Sequence, residues 1–216
     1  LVAIRILGID EAGRGALFGP LIVAGVLAAG DDLERLRKKG ASDSKAVPRE
    51  RRKDILLGLR GLFLGARVRI ICPQEIDEKS LTALELTAAA ELIDRLAPDV
   101  VVLDSPVSPR AIPRFTENLV RELVRLGVER PEIIVVPKAD RDFPIVGAAS
   151  LLAKVTRDAY VVHLRRLYGD FGWGYPGEEV AVRFLRTWWE DHGDLPSICR
   201  RKWATARRLL TPELGL

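Results

Sequence analysis

An aspartate and a glutamate stand side by side at the end of an apolar stretch, in the octet Gly8-Ile9-Asp10-Glu11-Ala12-Gly13-Arg14-Gly15. Carboxylates gathered without histidine or cysteine suit a hard cation such as Mg²⁺ or Mn²⁺, which prefers oxygen ligands. An arginine between two glycines suits an anion that comes close to the backbone, because no Cβ stands in the way. The octet therefore reads as a metal site beside an anion site, with solvated charges on a tight turn as the plainer alternative for the Asp-Glu pair alone. Two more acids share the position of Asp10. Asp104 ends the apolar run from Val100, and Asp140 follows Pro137-Lys138-Ala139 just past the run Ile133 to Val136. Were these acids to converge, their mutual repulsion would require a cation. Two such ions about 4 Å apart activate a water and stabilise the leaving oxygen of an in-line phosphoryl displacement.

Composition narrows the alternatives. The 216 residues are nearly half hydrophobic, which suits one folded domain, or a domain with a helical appendage. No apolar run is long enough for a membrane span and no basic-then-apolar leader opens the chain, so a cytoplasmic protein is expected. Cys72 and Cys199 lack a partner at ligand spacing and are expected to be buried free thiols. With only His163 and His192, expected on a helix surface and at a helix end, zinc chemistry is disfavoured. No Walker or dinucleotide fingerprint is present. Met is absent and Asn118 and Gln74 are the lone amides of their kinds, a composition like that of thermophile proteins.

The net charge of +4 and pI near 9.3 point modestly to a polyanionic partner. The segment from Ser197 to Leu210 adds to this, with Arg200, Arg201, Lys202, Arg207 and Arg208 around Trp203 and no acid. Either these cations meet phosphates while the indole supports a sugar or base, or they form a solvated helix face with Trp203 in the core.

The elements that must position these residues follow from periodicity. Ala3 to Ile9 reads as a buried strand, with Asp10 where the strand gives way to a loop reaching Gly19. Leu21 to Ala29 then forms a second strand in a wide hairpin with the first. Pro48 opens a helix from Arg49 to Phe63, and Arg67 to Cys72 alternates as a third strand. A helix is expected from Ser80 to Leu96, strands at Val100 to Asp104 and Ile133 to Val136, and helices at Ile112 to Leu126 and Pro144 to Tyr168. After Gly169 the pattern is helical only. This order predicts an α/β sheet flanked by helices with a helical C-terminal part, and sites on such sheets lie beyond the strand ends.

The octet, Asp43-Ser44-Lys45, Lys138-Ala139-Asp140, the run Ala148 to Asp158 (AASLLAKVTRD) and Gly174-Tyr175-Pro176 together resemble the signature blocks of ribonuclease HII, most like archaeal members. The resemblance runs from the first strand to the basic C-terminal segment. It implies a ribonuclease H-like mixed five-stranded sheet, with residues 1–168 as the catalytic domain and 169–216 as a helical substrate-binding part of the same unit. It also implies that Asp10, Glu11, Asp104 and Asp140 are catalytic, metal-binding acids for Mg²⁺ or Mn²⁺. Gly13, Arg14 and Gly15 would follow the ribose 2′-hydroxyl, Tyr175 would pack on the sugar at an RNA-to-DNA junction, and Lys45 and Arg157 would hold backbone phosphates. The implied substrates are RNA–DNA hybrids and duplex DNA carrying single ribonucleotides, and the implied role is ribonucleotide excision and primer removal. Ala16, Gly147 and Gly177-Glu178-Glu179 depart from the family pattern and bear on loop geometry near Tyr175. Thr211 to Leu216 lacks a sliding-clamp motif, so no such tether is expected, and a monomer is the default. Rivals are ribonuclease HIII, usually longer at its N-terminus than the nine residues preceding Asp10, a non-catalytic hybrid-binding module, and another Mg²⁺-dependent nuclease on a related sheet.

Overall fold

In the computed structural model, which describes residues 3–41, 47–129 and 131–210, the opening apolar run becomes strand β1 (Arg5–Ala12). This corrects the expectation that Asp10 lies in a loop. The antiparallel ladder to β2 (Leu21–Ala29) continues through Asp10↔Ala24, Glu11↔Val23 and Ala12↔Ile22. Ladder hydrogen bonds come from the backbone, so a partner strand keeps charged residues extended after the apolar signal has ended. Two short helices that the periodicity does not signal, α1 (Leu33–Lys38) and, further on, α3 (Pro73–Glu78), fall in segments too short to show helical spacing. The next helix, α2 (Arg49–Leu59), stops before the expected Phe63, and residues 60–62 tighten into a 3₁₀ turn. Strand β3 (Gly65–Ile71) precedes α3 (Pro73–Glu78), whose first turn is closed by the Cys72 backbone N–H donating to the Glu75 carboxylate at 3.2 Å. Cys72 is only half-buried there, unlike the expected core thiol.

The remaining elements agree with the sequence pattern to within a residue: α4 (Leu81–Leu96), β4 (Val100–Asp104), α5 (Ile112–Arg125), β5 (Glu132–Val136) and α7 (Pro144–Tyr168). Between β5 and α7 sits a single turn, α6 (Ala139–Asp142), and the chain closes with α8 (Glu179–His192) and α9 (Ala204–Leu210). Among the described residues the strands form one five-stranded sheet in the order β3-β2-β1-β4-β5. It is mixed, as expected, because β1 pairs antiparallel with β2 but parallel with β4, and β4 parallel with β5. Parallel neighbours need a crossover, which α4 and α5 provide.

The chain packs as two compact units. The first comprises Leu1–Ala12, Ile22–Arg69 and Thr82–Val155 and holds the sheet. On one face Val26, Ala28 and Val102 pack with Ile145, Val146 and Ala149 of α7. Gly8 makes this approach possible, since a Cβ there would overlap the Ile145 carbonyl. On the other face Gly25 sits under Leu7, Leu92 and Leu96, which seats α4.

The second unit comprises Gly13–Leu21, Ile70–Leu81 and Thr156–Leu216. Its core is aromatic: Phe18 lies 5.2 Å from Phe171 and 5.4 Å, edge-on, from Phe184. Burying a phenylalanine contributes roughly 1.5–3 kcal/mol, with more from such ring pairs. Trp203 packs partly buried against this cluster, so the core alternative holds for that indole. Cys199 is buried there, and burial pushes its thiol up to about 12, which leaves it unreactive. His163 is exposed on α7, and His192 at the end of α8 stacks on Trp188 at 4.0 Å, as their helical positions suggest.

Candidate active site

The first unit sets the acids. Ile9 of β1 is level with Leu103 of β4, so the next residues, Asp10 and Asp104, stand level at neighbouring parallel strands. Asp140 comes four residues after β5, in α6, and is 1 % exposed. Lys138 just before α6 takes a left-handed backbone with φ of 60°, which turns the chain there. The Ala139 N–H then donates to Asp104 Oδ1 at 2.8 Å, tying the β4 end to α6.

Asp10 is the electrostatic centre of this group. Only 6 % exposed, it accepts from the Glu11 N–H at 2.7 Å. Burial above all raises its carboxyl from 3.8 to about 7, and the charges of Asp104 and then Asp140 push the same way, against the hydrogen bonds from Ser150 and the Glu11 N–H. Asp10, Asp104 and Asp140 are thus brought together, as the sequence suggested. Glu11 acts on Asp10 through its backbone N–H, and its own side chain is half-buried. Among the described residues no three such side chains already surround one ion position. The donors themselves are oxygen-only and mutually repelling, which fits a hard divalent cation and not zinc.

Ser150 is a residue of the site that the sequence pattern does not single out. Its position in α7, on the side that crosses Gly8, is what brings its hydroxyl to Asp10. The run of small residues around it, Ala148-Ala149-Ser150, was the available signal for a helix lying close on a strand.

The second unit holds the remaining described residues of the expected site. Gly13, Arg14 and Gly15 form a turn in which the Ala16 N–H donates to Gly13 O at 3.2 Å. The two glycines differ in purpose. Gly13 has a φ of 88°, and a Cβ there would overlap Arg157 Nε, so its missing side chain makes room for a buried arginine. Gly15 is exposed and faces open space, so a backbone approach is available there.

Arg157 is 2 % exposed, donating to Phe18 O at 3.2 Å and Trp173 O at 3.1 Å, with its guanidinium 4.8 Å from the centre of the Tyr175 ring. Tyr175 is half-buried on this support. Its loop is stitched by the Leu17 and Phe18 N–H groups, both donating to Gly174 O, and by Trp173 N–H donating to the Glu178 carboxylate at 2.6 Å. The departure at Glu178 therefore supplies its own loop closure.

Arg200 differs most from the sequence expectation. Placed there among surface cations, it is fully buried, with Nε and Nη2 donating to Gly19 O at 3.1 Å and Nη1 to Arg14 O at 2.9 Å. Burial, and then the charge of Arg157, lowers its guanidinium to about 9. No local signal separates it from Arg201 and Lys202. Asp43-Ser44-Lys45, with the phosphate contact expected of Lys45, lies outside the described residues.

Comparison with known proteins bears on the family and the fold. A sequence profile of the family described as Ribonuclease HII matches residues 7–206. Ribonuclease HII of Thermofilum pendens is 38% identical over 216 residues, covering 95% of this chain and 99% of that protein. Among solved structures, ribonuclease H2 from Pyrococcus horikoshii OT3 superposes with a TM-score of 0.84 at 34% identity, covering 95% of this chain and 97% of that one. Ribonuclease HII from Archaeoglobus fulgidus, solved as a complex with PCNA, superposes with a TM-score of 0.81 at 35% identity, covering 93% of this chain and 95% of that one. The residues where a clamp motif was expected to be lacking, 211–216, lie outside those described.

Proposed function

Because the chain belongs to the ribonuclease HII family and is thus a metal-dependent endonuclease, we propose that it hydrolyses the RNA strand of RNA–DNA hybrids. It also nicks duplex DNA on the 5′ side of a single embedded ribonucleotide, leaving 3′-hydroxyl and 5′-phosphate ends. Its role in the cell is removal of misincorporated ribonucleotides and RNA primers. The observation that carries this reading is the meeting of three carboxylates, Asp10 and Asp104 level on neighbouring strands and Asp140 in α6, with Asp10 buried and the charges of the other two acting on it.

Asp10, Glu11, Asp104 and Asp140 are the residues that would hold Mg²⁺ or Mn²⁺, which when bound as a pair supplies an activated water and neutralises charge on the leaving oxygen. The protein's own contribution is to orient these oxygens in advance. Ser150 and the Glu11 N–H hold Asp10, and the Ala139 N–H holds Asp104. Gly13-Arg14-Gly15 continues the chain directly from Ala12 and follows the ribose through its backbone, which lets the site tell RNA from DNA. Tyr175 packs on the sugar at the junction, Arg157 supports it from beneath, and Lys45 meets a backbone phosphate.

The test is a DNA duplex carrying one ribonucleotide, incubated with Mg²⁺ or Mn²⁺ and mapped at nucleotide resolution. One nick on the 5′ side of the ribonucleotide is expected. Equal cutting of an all-DNA duplex, or no cutting with either ion, overturns the assignment.

A further inference from the structure

Arg200 is a large cation with no contact to bulk water, and its donors are spent on the chain's own backbone. Its acceptors, the carbonyls of Arg14 and Gly19, bracket the segment that contains Gly15. A guanidinium is planar with donors in a fixed fork, so bonding both carbonyls sets the distance between them in a way a lysine ammonium cannot. Trp203 lies 5.1 Å from the guanidinium carbon and backs its face. The same segment is pinned once more by the Arg200 N–H donating to Leu17 O at 2.9 Å and by the Phe18↔Cys199 bridge. Burying a cation is costly unless it is fully hydrogen-bonded, and here a second buried arginine, Arg157, lies near enough to oppose it. A fold that needed only to fill this space would do so more stably with an apolar side chain. What an arginine adds is a fixed loop backbone.

We infer that Arg200 is a positioning residue for ribonucleotide selectivity, holding the Gly13-Arg14-Gly15 backbone in the shape that reads a ribose 2′-hydroxyl. The inference rests on the proposed function, in which that loop faces the ribose. Arg200 touches no substrate itself and acts through the carbonyls of Arg14 and Gly19. Displacement of a substrate-reading backbone by about 1 Å costs on the order of 10²-fold in rate.

The experiment compares the full chain with its Arg200→Lys variant on two Mg²⁺-supplemented duplexes, one with a single ribonucleotide and one all-DNA. The readout is the ratio of cleavage rates, with kcat and KM measured separately and melting followed in parallel. Arg200→Lys is expected to melt as a folded protein and to keep KM within about twofold. Its kcat at the ribonucleotide falls by tenfold or more, so the ratio collapses. Amide exchange over residues 13–19 rises in the variant, while the Phe18-Phe171-Phe184 core keeps its protection. An unchanged ratio in a folded Arg200→Lys protein overturns the inference. If that variant does not fold, Arg200→Gln, whose single amide cannot bond both carbonyls as the guanidinium fork does, takes its place. A threefold or larger fall in its ratio supports the inference, and an unchanged ratio overturns it. A wild-type protein that cuts both duplexes equally refutes the functional reading instead, so the two failures are distinguishable.

Discussion

Asp10 makes the metal-free protein pH-sensitive. Its carboxyl stands at about 7 in the folded chain against 3.8 ordinarily. Below 3.8 it is protonated whether the chain is folded or not, and its contribution to stability is fully present. Between 3.8 and about 7 the folded state keeps a proton that the unfolded state releases, so stability falls as pH rises and is lost above about 7. The melting midpoint of the metal-free protein should therefore drop between pH 4.5 and pH 8 more steeply than that of Asp10→Asn. Added Mg²⁺ should raise the midpoint more at pH 8 than at pH 5, and identical pH profiles for wild type and variant would contradict the burial of Asp10 beside the other two acids. The same substitution should lower cleavage by ~10³-fold or more, the scale of losing several kcal/mol of charge stabilisation, while hybrid binding persists in a gel-shift assay. The glycines flanking Arg14 give a second residue-level contrast. Gly13→Ala should destabilise by about 1–3 kcal/mol through overlap with Arg157 and the left-handed backbone. Gly15→Ala should melt like wild type yet lose ribonucleotide discrimination, because its Cβ enters open space. The reverse pattern in paired melting and nicking assays would reassign the two positions.

At the scale of elements, α7 is the piece whose placement decides the acid site. Its first turns lie against β1 at Gly8, and Gly147 sits where a Cβ would overlap the Ala41 carbonyl. Gly147 is one of the departures from the family pattern, and this contact is its physical reason. Gly147→Ser should therefore lower stability here by about 1–3 kcal/mol, as overpacking does. It should also reduce cleavage by moving Ser150 away from Asp10. Denaturant melts read together with nicking rates check both effects, and a serine variant at least as stable as wild type would refute the close approach. The loop carrying Tyr175 is a separate element with its own closure by Glu178 and Arg157. Tyr175→Ala should impair cutting at a ribonucleotide junction far more than it lowers the melting midpoint, since the half-buried ring is held at the loop's surface and not in the Phe18 core.

For the molecule as a whole, absent methionine and scarce amides predict a melting midpoint above the mesophile range of about 45–65 °C, measurable by calorimetry. Among the described residues no helix is long and apolar enough to cross a membrane. The order of strands and helices was readable because apolar periodicity is a local property, and β4 and α7 begin and end where the pattern says. So were the acids: Asp10, Asp104 and Asp140 follow apolar runs, and the parallel pairing of β1 with β4 then sets the first two level. What local pattern could not contain is burial and partnership across the chain. The β1 ladder extends past its apolar residues because β2 supplies the hydrogen bonds, which puts Asp10 and Glu11 in a paired strand instead of a loop. Arg200 reads like its basic neighbours, yet it is buried against the carbonyl of Arg14, 186 positions away. Residue type and spacing thus determined which carboxylates come together beside β1 and β4. Tertiary structure alone decided which of its charges meet water and which hold the backbone, because desolvation depends on everything packed around a group and not on its place in the chain.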